Sequence, residues 1–145
     1  MFKHILIATD GSDGACEALK VAVEMQKIFD ADLWILSVFR HHSLREASMS
    51  MVRPVDPENM DLMMKHYASD VAESCKRYAI DQQCLKVRAF VKSGRPAKTI
   101  VQFAREKGAD LIILGHRGLG HTEGFILGSV SHKVSGMARC PVMVV

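Results

Sequence analysis

Glycines and serines between positions 115 and 131 form the segment best suited to chemistry. It reads Gly115-His116-Arg117-Gly118-Leu119-Gly120-His121-Thr122-Glu123-Gly124 and continues, three residues later, with Gly128-Ser129-Val130-Ser131. Glycines let the backbone approach a ligand closely and adopt positive φ angles. A helix beginning near Ser129 would offer N–H groups and a favourable dipole to a phosphate, and the hydroxyls of Ser129 and Ser131 would add donors. The segment therefore favours a phosphate site over a tight turn with a serine cap.

The spacing of these glycines excludes the commonest phosphate-binding loops. The chain has no G-x-x-x-x-G-K-S/T sequence, so it contains no P-loop. Three residues separate Gly120 from Gly124, so the G-x-G-x-x-G fingerprint of dinucleotide-binding folds is also missing. The spacing that is present is Gly115, two residues, Gly118, nine residues, and then Gly128-Ser129.

Apolar runs typical of buried strands alternate with helical patterns and must position this loop. The predicted strands cover residues 4–9, 33–39, 84–91, 110–115 and 141–145, and the predicted helices cover about 14–29, 58–80, 96–107 and 129–138. Residues 84–91 differ from the apolar runs because they alternate at period two, which predicts a strand with one wetter face near an edge of the sheet. The alternation of strands and helices predicts a parallel sheet with helices on both faces. Ligands of such sheets bind beyond the carboxyl ends of the strands. Asp10-Gly11-Ser12 follows the first strand and the glycine segment follows the fourth, so both are candidates for one site.

Turn residues mark the ends of these elements. Ser12 or Asp13 can cap the first helix, Pro96 suits the first position of the third helix, and Gly108 suits its end. Between residues 40 and 57 the pattern is lost, which predicts a long connection of the kind often used as a lid or binding loop. The second helix is expected to turn one apolar face to the core, formed by Met60, Met63, Met64, Tyr67, Ala68, Val71 and Cys75.

Composition limits the classes of protein that fit. The 145 residues suit one domain spanning 1–145, with 48% hydrophobic residues and a formal charge of +3 spread along the chain. No basic stripe indicates a nucleic-acid partner, and no apolar stretch is long enough to span a membrane. The N-terminus lacks a signal-peptide pattern, so we expect a cytoplasmic protein whose four cysteines are free thiols.

Other catalytic or metal chemistry has little support in the sequence. His41 and His42 are adjacent, and the remaining histidines form no H-x-x-x-H or H-E-x-x-H motif. No G-x-S-x-G elbow surrounds a serine, so Ser12 is better explained as a helix cap than as a nucleophile. We therefore predict no catalytic residue. His116 and His121 flank the glycine loop, and a contact of His116 with the ligand is the less favoured interpretation.

Taken with its flanking segments, the glycine spacing resembles that of the universal stress protein family. Gly115, Gly118 and Gly128-Ser129 match the G-x2-G-x9-G-S/T nucleotide motif of that family. The resemblance covers almost the whole chain. It also rests on Ile5-Leu6-Ile7-Ala8-Thr9-Asp10-Gly11-Ser12, on Ala109-Asp110-Leu111-Ile112-Ile113-Leu114-Gly115, and on Cys140-Pro141-Val142-Met143-Val144-Val145.

The resemblance implies an ATP-binding fold with an open five-stranded parallel sheet of order 3-2-1-4-5, like that of the adenine nucleotide α-hydrolases. It implies that Asp10 lies by the nucleoside, that the backbone of Val38 contacts adenine, and that Gly115 approaches the ribose and phosphates. The full implied site is Ala8, Thr9, Asp10, Val38, Leu114, Gly115, Arg117, Gly118, Gly128, Ser129, Val130 and Ser131. The ligand would be ATP, ADP or AMP, and Asp10 is the carboxylate that could hold Mg²⁺.

The resemblance also implies a homodimer through the last strand. The segment from Val142 to Val145 is an apolar sheet edge, which would invite aggregation if it stayed unpaired. The protein would then act as a stress-response or signalling module whose protein partners the sequence does not name.

Two alternatives stay open at this point. Many relatives carry a basic residue between the second and third motif glycines, where this chain has Gly120-His121-Thr122-Glu123-Gly124. The charge of Glu123 would repel a triphosphate, although Arg117 and His121 could offset it. The chain could therefore be a family member that binds no nucleotide and works through dimerisation or partner contacts. A slow ATPase is the second alternative, and it lacks an obvious general base.

Overall fold

Five strands form one parallel sheet in the computed structural model, which describes residues 1–40, 57–116 and 127–145. The strands are β1 (His4–Ala8), β2 (Asp32–Phe39), β3 (Val87–Ser93), β4 (Leu111–Leu114) and β5 (Val142–Val144), and the helices are α1 (Asp13–Phe29), α2 (Pro57–Asp81), α3 (Pro96–Lys107) and α4 (Ser129–Met137). All neighbouring strands are parallel, in the order β3-β2-β1-β4-β5. The predicted fold class and strand order are confirmed.

Alternate residues of the central strands build two separate cores. In β1, Ile5 and Ile7 pack against α1 and α2, whereas Leu6 and Ala8 pack against α3 and α4. Because successive side chains of a strand point to opposite faces, an uninterrupted apolar run is what a strand covered on both sides requires. Burial of each large aliphatic side chain stabilises the fold by about 1.5–3 kcal/mol.

The predicted capping residues occupy the helix ends. Ser12 is the N-cap of α1, and its hydroxyl accepts a hydrogen bond from the N–H of Ala15 at 3.3 Å. Pro96 is the first residue of α3, where the missing N–H costs nothing because that position has no helical acceptor. Gly108 ends α3 in the left-handed conformation with φ 75°. These residues fix where each helix meets the edge of the sheet.

The prediction that one whole face of α2 lies in the core was wrong for its first turns. Ala68 and Cys75 are buried, but Met63 is 68% exposed, Tyr67 47% and Met64 37%. With 25 residues α2 is about 37 Å long, whereas the eight-residue β2 spans about 26 Å, so part of the helix extends beyond the sheet. The overhanging part lies at the carboxyl ends of the strands.

The predicted start of the third strand was also wrong. Helix α2 continues to Asp81, Gln83 adopts φ 65°, and Cys84 is fully buried in the turn before β3 begins at Val87. The period-two sequence pattern begins at Cys84, three residues before the strand itself, because the buried side chain of Cys84 fits the alternation although the residue precedes β3. The predicted edge position of β3 is confirmed.

Two further expectations concern membranes and cysteines. Within residues 1–40, 57–116 and 127–145, no helix has the length and apolar character needed to cross a membrane. All four cysteines are free, with Cys75 and Cys84 buried, Cys140 half-buried and Cys16 exposed. The predicted connection of residues 40–57 lies mostly outside the described residues, apart from its two ends.

Candidate functional site

The turn between β1 and α1 holds Asp10, the acidic residue of the predicted site. One carboxylate oxygen of Asp10 accepts a hydrogen bond from the N–H of Ser12 at 2.9 Å. Gly11, between them, has φ 81°, a left-handed conformation that an L side chain rarely adopts. The sequence Asp-Gly-Ser thus makes the turn locally, and Ser12 then starts the helix. Asp10 is half-buried at the carboxyl edge of the sheet.

Thr9 is buried, and its side chain bonds within the protein. Its N–H donates to the carbonyl of Leu36 at 2.9 Å, which extends the pairing of β1 with β2 by one residue. Its Oγ1 accepts from the N–H of Gly11 at 3.3 Å and lies 3.9 Å from the Sγ of Cys75. Burial raises the pKa of the Cys75 thiol, so the thiol stays protonated and can donate to Thr9. Thr9 therefore ties the turn to α2.

Gly115 brings the end of β4 against the start of α1. A Cβ at this position would lie 2.7 Å from the carbonyl carbon of Gly14 and 3.0 Å from the amide nitrogen of Ala15. Backbone atoms cannot move aside as a flexible side chain can, so only glycine fits here. The strands β1 and β4 are neighbours, and their two following segments touch. Asp10 and the glycine segment accordingly open on the same edge of the sheet.

His116 links the end of β4 to α4 and β5. Its carbonyl accepts from the N–H of Gly128 at 2.6 Å and from the hydroxyl of Ser131 at 3.0 Å. Its N–H donates to the carbonyl of Val145 at 2.9 Å. The two bonds of the carbonyl join His116 to Gly128 and Ser131, and they hold the N-terminus of α4 beside the carboxyl end of β4.

The N-terminus of α4 combines an exposed serine with two residues that face inward. Gly128 is its N-cap and has no side chain to accept from the first N–H groups of the helix. Ser129 is exposed, whereas Val130 packs partly against the core around α3. Ser131 is 3% exposed, and its hydroxyl is within hydrogen-bond distance of the carbonyls of His116 and Gly128. The Ser131 side chain thus holds the helix to β4.

Ala8, Val38 and Leu114 lie at or near the ends of three adjacent strands. Ala8 pairs with Leu36 across β1 and β2, so Val38 lies two residues further on, level with Asp10. Val38 is half-buried, and Leu114, the last residue of β4, is buried. The backbone at Val38 therefore lies at the same edge of the sheet as Asp10 and Gly115.

Some predicted residues cannot be compared with the structure. Arg117 and Gly118 lie outside the described residues, as do His121 and Glu123. In the parts of the chain that are described, no group of three or more His, Cys, Asp or Glu side chains could hold a metal ion. The Asp10 carboxylate stays the predicted Mg²⁺ ligand.

Tyr67, which the apolar pattern of the second helix predicts in the core, lies instead beside the Asp10 turn. Its hydroxyl donates to the carbonyl of Asp10 at 3.3 Å. The signal in the sequence is weak, because a tyrosine on an apolar helix face fits the core equally well. Only the length by which α2 overhangs the sheet brings its hydroxyl to the turn.

Comparison with known proteins decides the family. A model of the universal stress protein family matches residues 1–145. The chain belongs to this family. The universal stress protein YxiE of Bacillus subtilis (strain 168) is 35% identical over 148 residues, which cover 100% of this chain and 99% of that protein.

Solved universal stress proteins share the fold. The protein UspA from Lactobacillus plantarum superposes with a TM-score of 0.85 at 23% identity, over 99% of this chain and 97% of the other. A universal stress protein in complex with cAMP superposes with a TM-score of 0.72 at 22% identity, over 99% and 96% of the two chains. At these identities the likeness establishes the architecture, and the cAMP belongs to that other protein.

Proposed function

We propose that this universal stress protein binds an adenine nucleotide (ATP, ADP or AMP) in the crevice beyond the carboxyl ends of β1 and β4. The observation that carries the proposal is the closure of the glycine segment by the hydrogen bond from Gly128 N–H to the His116 carbonyl. It holds both ends of the G-x2-G-x9-G-S motif beside the Asp10 turn. A phosphate there would meet the N–H groups at the start of α4.

The proposal assigns different parts of the nucleotide to different strand ends. Asp10 lies by the nucleoside and is the carboxylate for Mg²⁺, which proteins commonly hold with one or two carboxylates plus the phosphates of the nucleotide. The backbone of Val38 contacts adenine, and Gly118 and Ser129 contact the phosphates. The exposed position of Ser129 supports this role. The cAMP complex of a relative with this fold supports the adenine class.

The proposal includes a homodimer in the cytoplasm that acts as a stress-response or signalling module. Its basis is the position of β5 at one edge of the sheet, with half-buried apolar residues along its length. An edge strand presents unpaired N–H and C=O groups to a second chain. Hydrolysis of ATP is not part of the proposal.

Calorimetric titration with Mg-ATP, Mg-ADP, AMP and Mg-GTP tests the ligand class. We expect heat with the adenine nucleotides, and at least tenfold weaker binding in Ser129→Ala because a hydrogen bond to a charged phosphate contributes about 1.5–3 kcal/mol. Ser135→Ala is the matched control, since Ser135 lies in the same helix and its hydroxyl bonds the carbonyl of Ser131. Equal affinity for Mg-GTP, or equal weakening in both variants, would contradict the assignment.

A further inference from the structure

Three residues of α2, spaced by four, form a ridge against the β1–α1 turn. Tyr67, Val71 and Cys75 lie on one side of the helix because residues four apart stack along a helix face. The Tyr67 hydroxyl donates to the carbonyl of Asp10 at 3.3 Å, and the Cys75 sulfur lies 3.9 Å from Oγ1 of Thr9. We refer to Tyr67, Val71 and Cys75 as the α2 ridge. The α2 ridge thus contacts the first two residues of the turn, Thr9 and Asp10.

The α2 ridge also fits closely around Gly11. A Cβ at Gly11 would lie 3.0 Å from Cγ2 of Val71 and 3.1 Å from the hydroxyl oxygen of Tyr67. Gly11 is held at φ 81°, and its N–H donates to Oγ1 of Thr9. The backbone of the turn therefore lies directly against the ridge, without the space that a side chain would need.

Hydrogen bonds tie the β1–α1 turn to the sheet at Thr9, whose N–H donates to the carbonyl of Leu36, and beyond Thr9 the bonds within the turn are local. The Asp10 carboxylate accepts from Ser12 N–H, and Thr9 accepts from Gly11 N–H, but these bonds join residues two apart in the chain. The bond from Tyr67 spans 57 residues and fixes the carbonyl of Asp10 from outside the turn. The same peptide unit carries the N–H of Gly11, so its rotation would break the bond to Oγ1 of Thr9 and change the backbone angles of Asp10 and Gly11.

We propose that Tyr67 is a positioning residue of the nucleotide site, which holds the β1–α1 turn in the conformation that presents Asp10 to the ligand. This inference rests on the proposed function, which it deepens by adding a residue from α2. Tyr67 acts through the carbonyl of Asp10. Its role depends on the overhang of α2 beyond the sheet, because a shorter helix would not reach the turn.

The size of the effect follows from the nature of the bond. Tyr67 is 47% exposed, so water competes for its hydroxyl. A hydrogen bond between neutral groups then changes an equilibrium by about three- to tenfold. When only a fraction of the molecules has the binding-competent conformation, the apparent affinity equals the intrinsic affinity multiplied by that fraction. Loss of the hydroxyl should therefore weaken binding by no more than this factor.

The test compares Tyr67→Phe with Tyr78→Phe. The chain has two tyrosines, both in α2, and Tyr78 lies about 16 Å further along that helix. Amide hydrogen exchange at Gly11 and Ser12 is measured by NMR without nucleotide, and Mg-ATP affinity by calorimetry. In Tyr67→Phe we expect exchange at these two amides to rise about three- to tenfold and affinity to fall by a similar factor, with little change at other amides. In Tyr78→Phe we expect neither change.

Each outcome bears on one of the two proposals. Unchanged exchange at Gly11 and Ser12 in Tyr67→Phe would overturn the positioning role, and so would faster exchange with unchanged affinity for Mg-ATP. Failure of the wild-type protein to bind any adenine nucleotide would contradict the proposed function. The exchange rates would then still decide whether Tyr67 holds the turn, since they are measured on the protein alone.

Discussion

At the scale of single residues, two glycines of the crevice are required for different reasons. Gly11 supplies a left-handed φ of 81°, whereas Gly115 supplies space against the backbone of Gly14. The sequence motif suggests that its first glycine exists to approach the ligand. The structure gives Gly115 a further task, which is to let β4 and α1 come into contact. Motif glycines can thus be required by the fold before any ligand binds.

Gly115→Ala should destabilise the protein. Its methyl group would lie 2.7 Å from a backbone carbon, and relief of such a clash costs about 1–3 kcal/mol. Gly136→Ala is the control, because Gly136 lies inside α4 with no neighbouring atom within 4 Å of the added Cβ. That change should stabilise the protein by about 0.5–1 kcal/mol. Urea denaturation measures both, and an unchanged free energy of unfolding in Gly115→Ala would refute the packing role.

The four thiols should differ in reactivity. Cys16 is exposed and should react within minutes with a disulfide reagent at pH 8, while Cys75 and Cys84 should react only when the protein unfolds. Burial raises the pKa of the Cys75 thiol above its ordinary 9.0. The unfolded chain therefore releases this proton first, so the contribution to stability is full below pH 9.0 and is lost as pH rises above it. Mass spectrometry of the labelled peptides measures the labelling rate of each cysteine. Labelling of Cys75 as fast as that of Cys16 would contradict the prediction.

At the scale of elements, β5 lies at one edge of the sheet and pairs with β4. The carbonyl of Pro141 and both backbone groups of Val145 bond with β4. Because alternate residues of a parallel strand bond to the same neighbour, Val142 and Val144 direct their N–H and C=O groups to the open edge. The proposed dimer would use these groups without disturbing the ladder to β4.

Val144→Pro should separate the dimer while leaving the monomer folded. Proline removes an N–H from the open edge only, whereas Val144→Thr keeps the N–H and the branched side chain. Sedimentation equilibrium gives the mass of each variant, and circular dichroism checks the fold. We expect a monomer for Val144→Pro and a dimer for Val144→Thr. A wild-type monomer, or a dimer that survives proline, would contradict pairing through β5.

Elements also mark the limit of what the sequence could predict. The buried strands and the helix-end residues Ser12, Pro96 and Gly108 were predictable because apolar runs and turn residues act locally. The exposure of Met63 was not, because helical periodicity identifies a face but does not tell where the supporting sheet ends. The contact of Tyr67 with Asp10 was missed for the same reason.

The candidate site was predictable only in outline. The strand order followed from the family resemblance, and it correctly placed the segments after β1 and β4 side by side. The buried hydroxyl of Ser131 was not foreseen, because sequence gives the spacing of a serine from a helix start but not the carbonyls that surround it. The roles of all twelve predicted site residues toward a nucleotide stay predictions.

At the scale of the whole molecule, the proposed crevice joins both layers of the fold. Helices α1 and α2 cover one face of the sheet and α3 and α4 cover the other. The proposed crevice takes Asp10, whose carbonyl bonds with Tyr67, from the first side and Ser129 from the start of α4. A bound nucleotide would therefore contact segments of both layers, and such binding would raise the stability of the folded state with the logarithm of the ligand concentration once that concentration exceeds Kd.

The nucleotide content of freshly purified protein tests the central claim most directly. The protein is denatured and filtered, and released nucleotides are identified by chromatography, with a Gly118→Asp, Ser129→Ala double variant as the control. Our account predicts close to one adenine nucleotide per chain in the wild type and none in the variant, where the added carboxylate would repel phosphate. A wild-type protein that is empty and gives no heat with Mg-ATP would contradict the account.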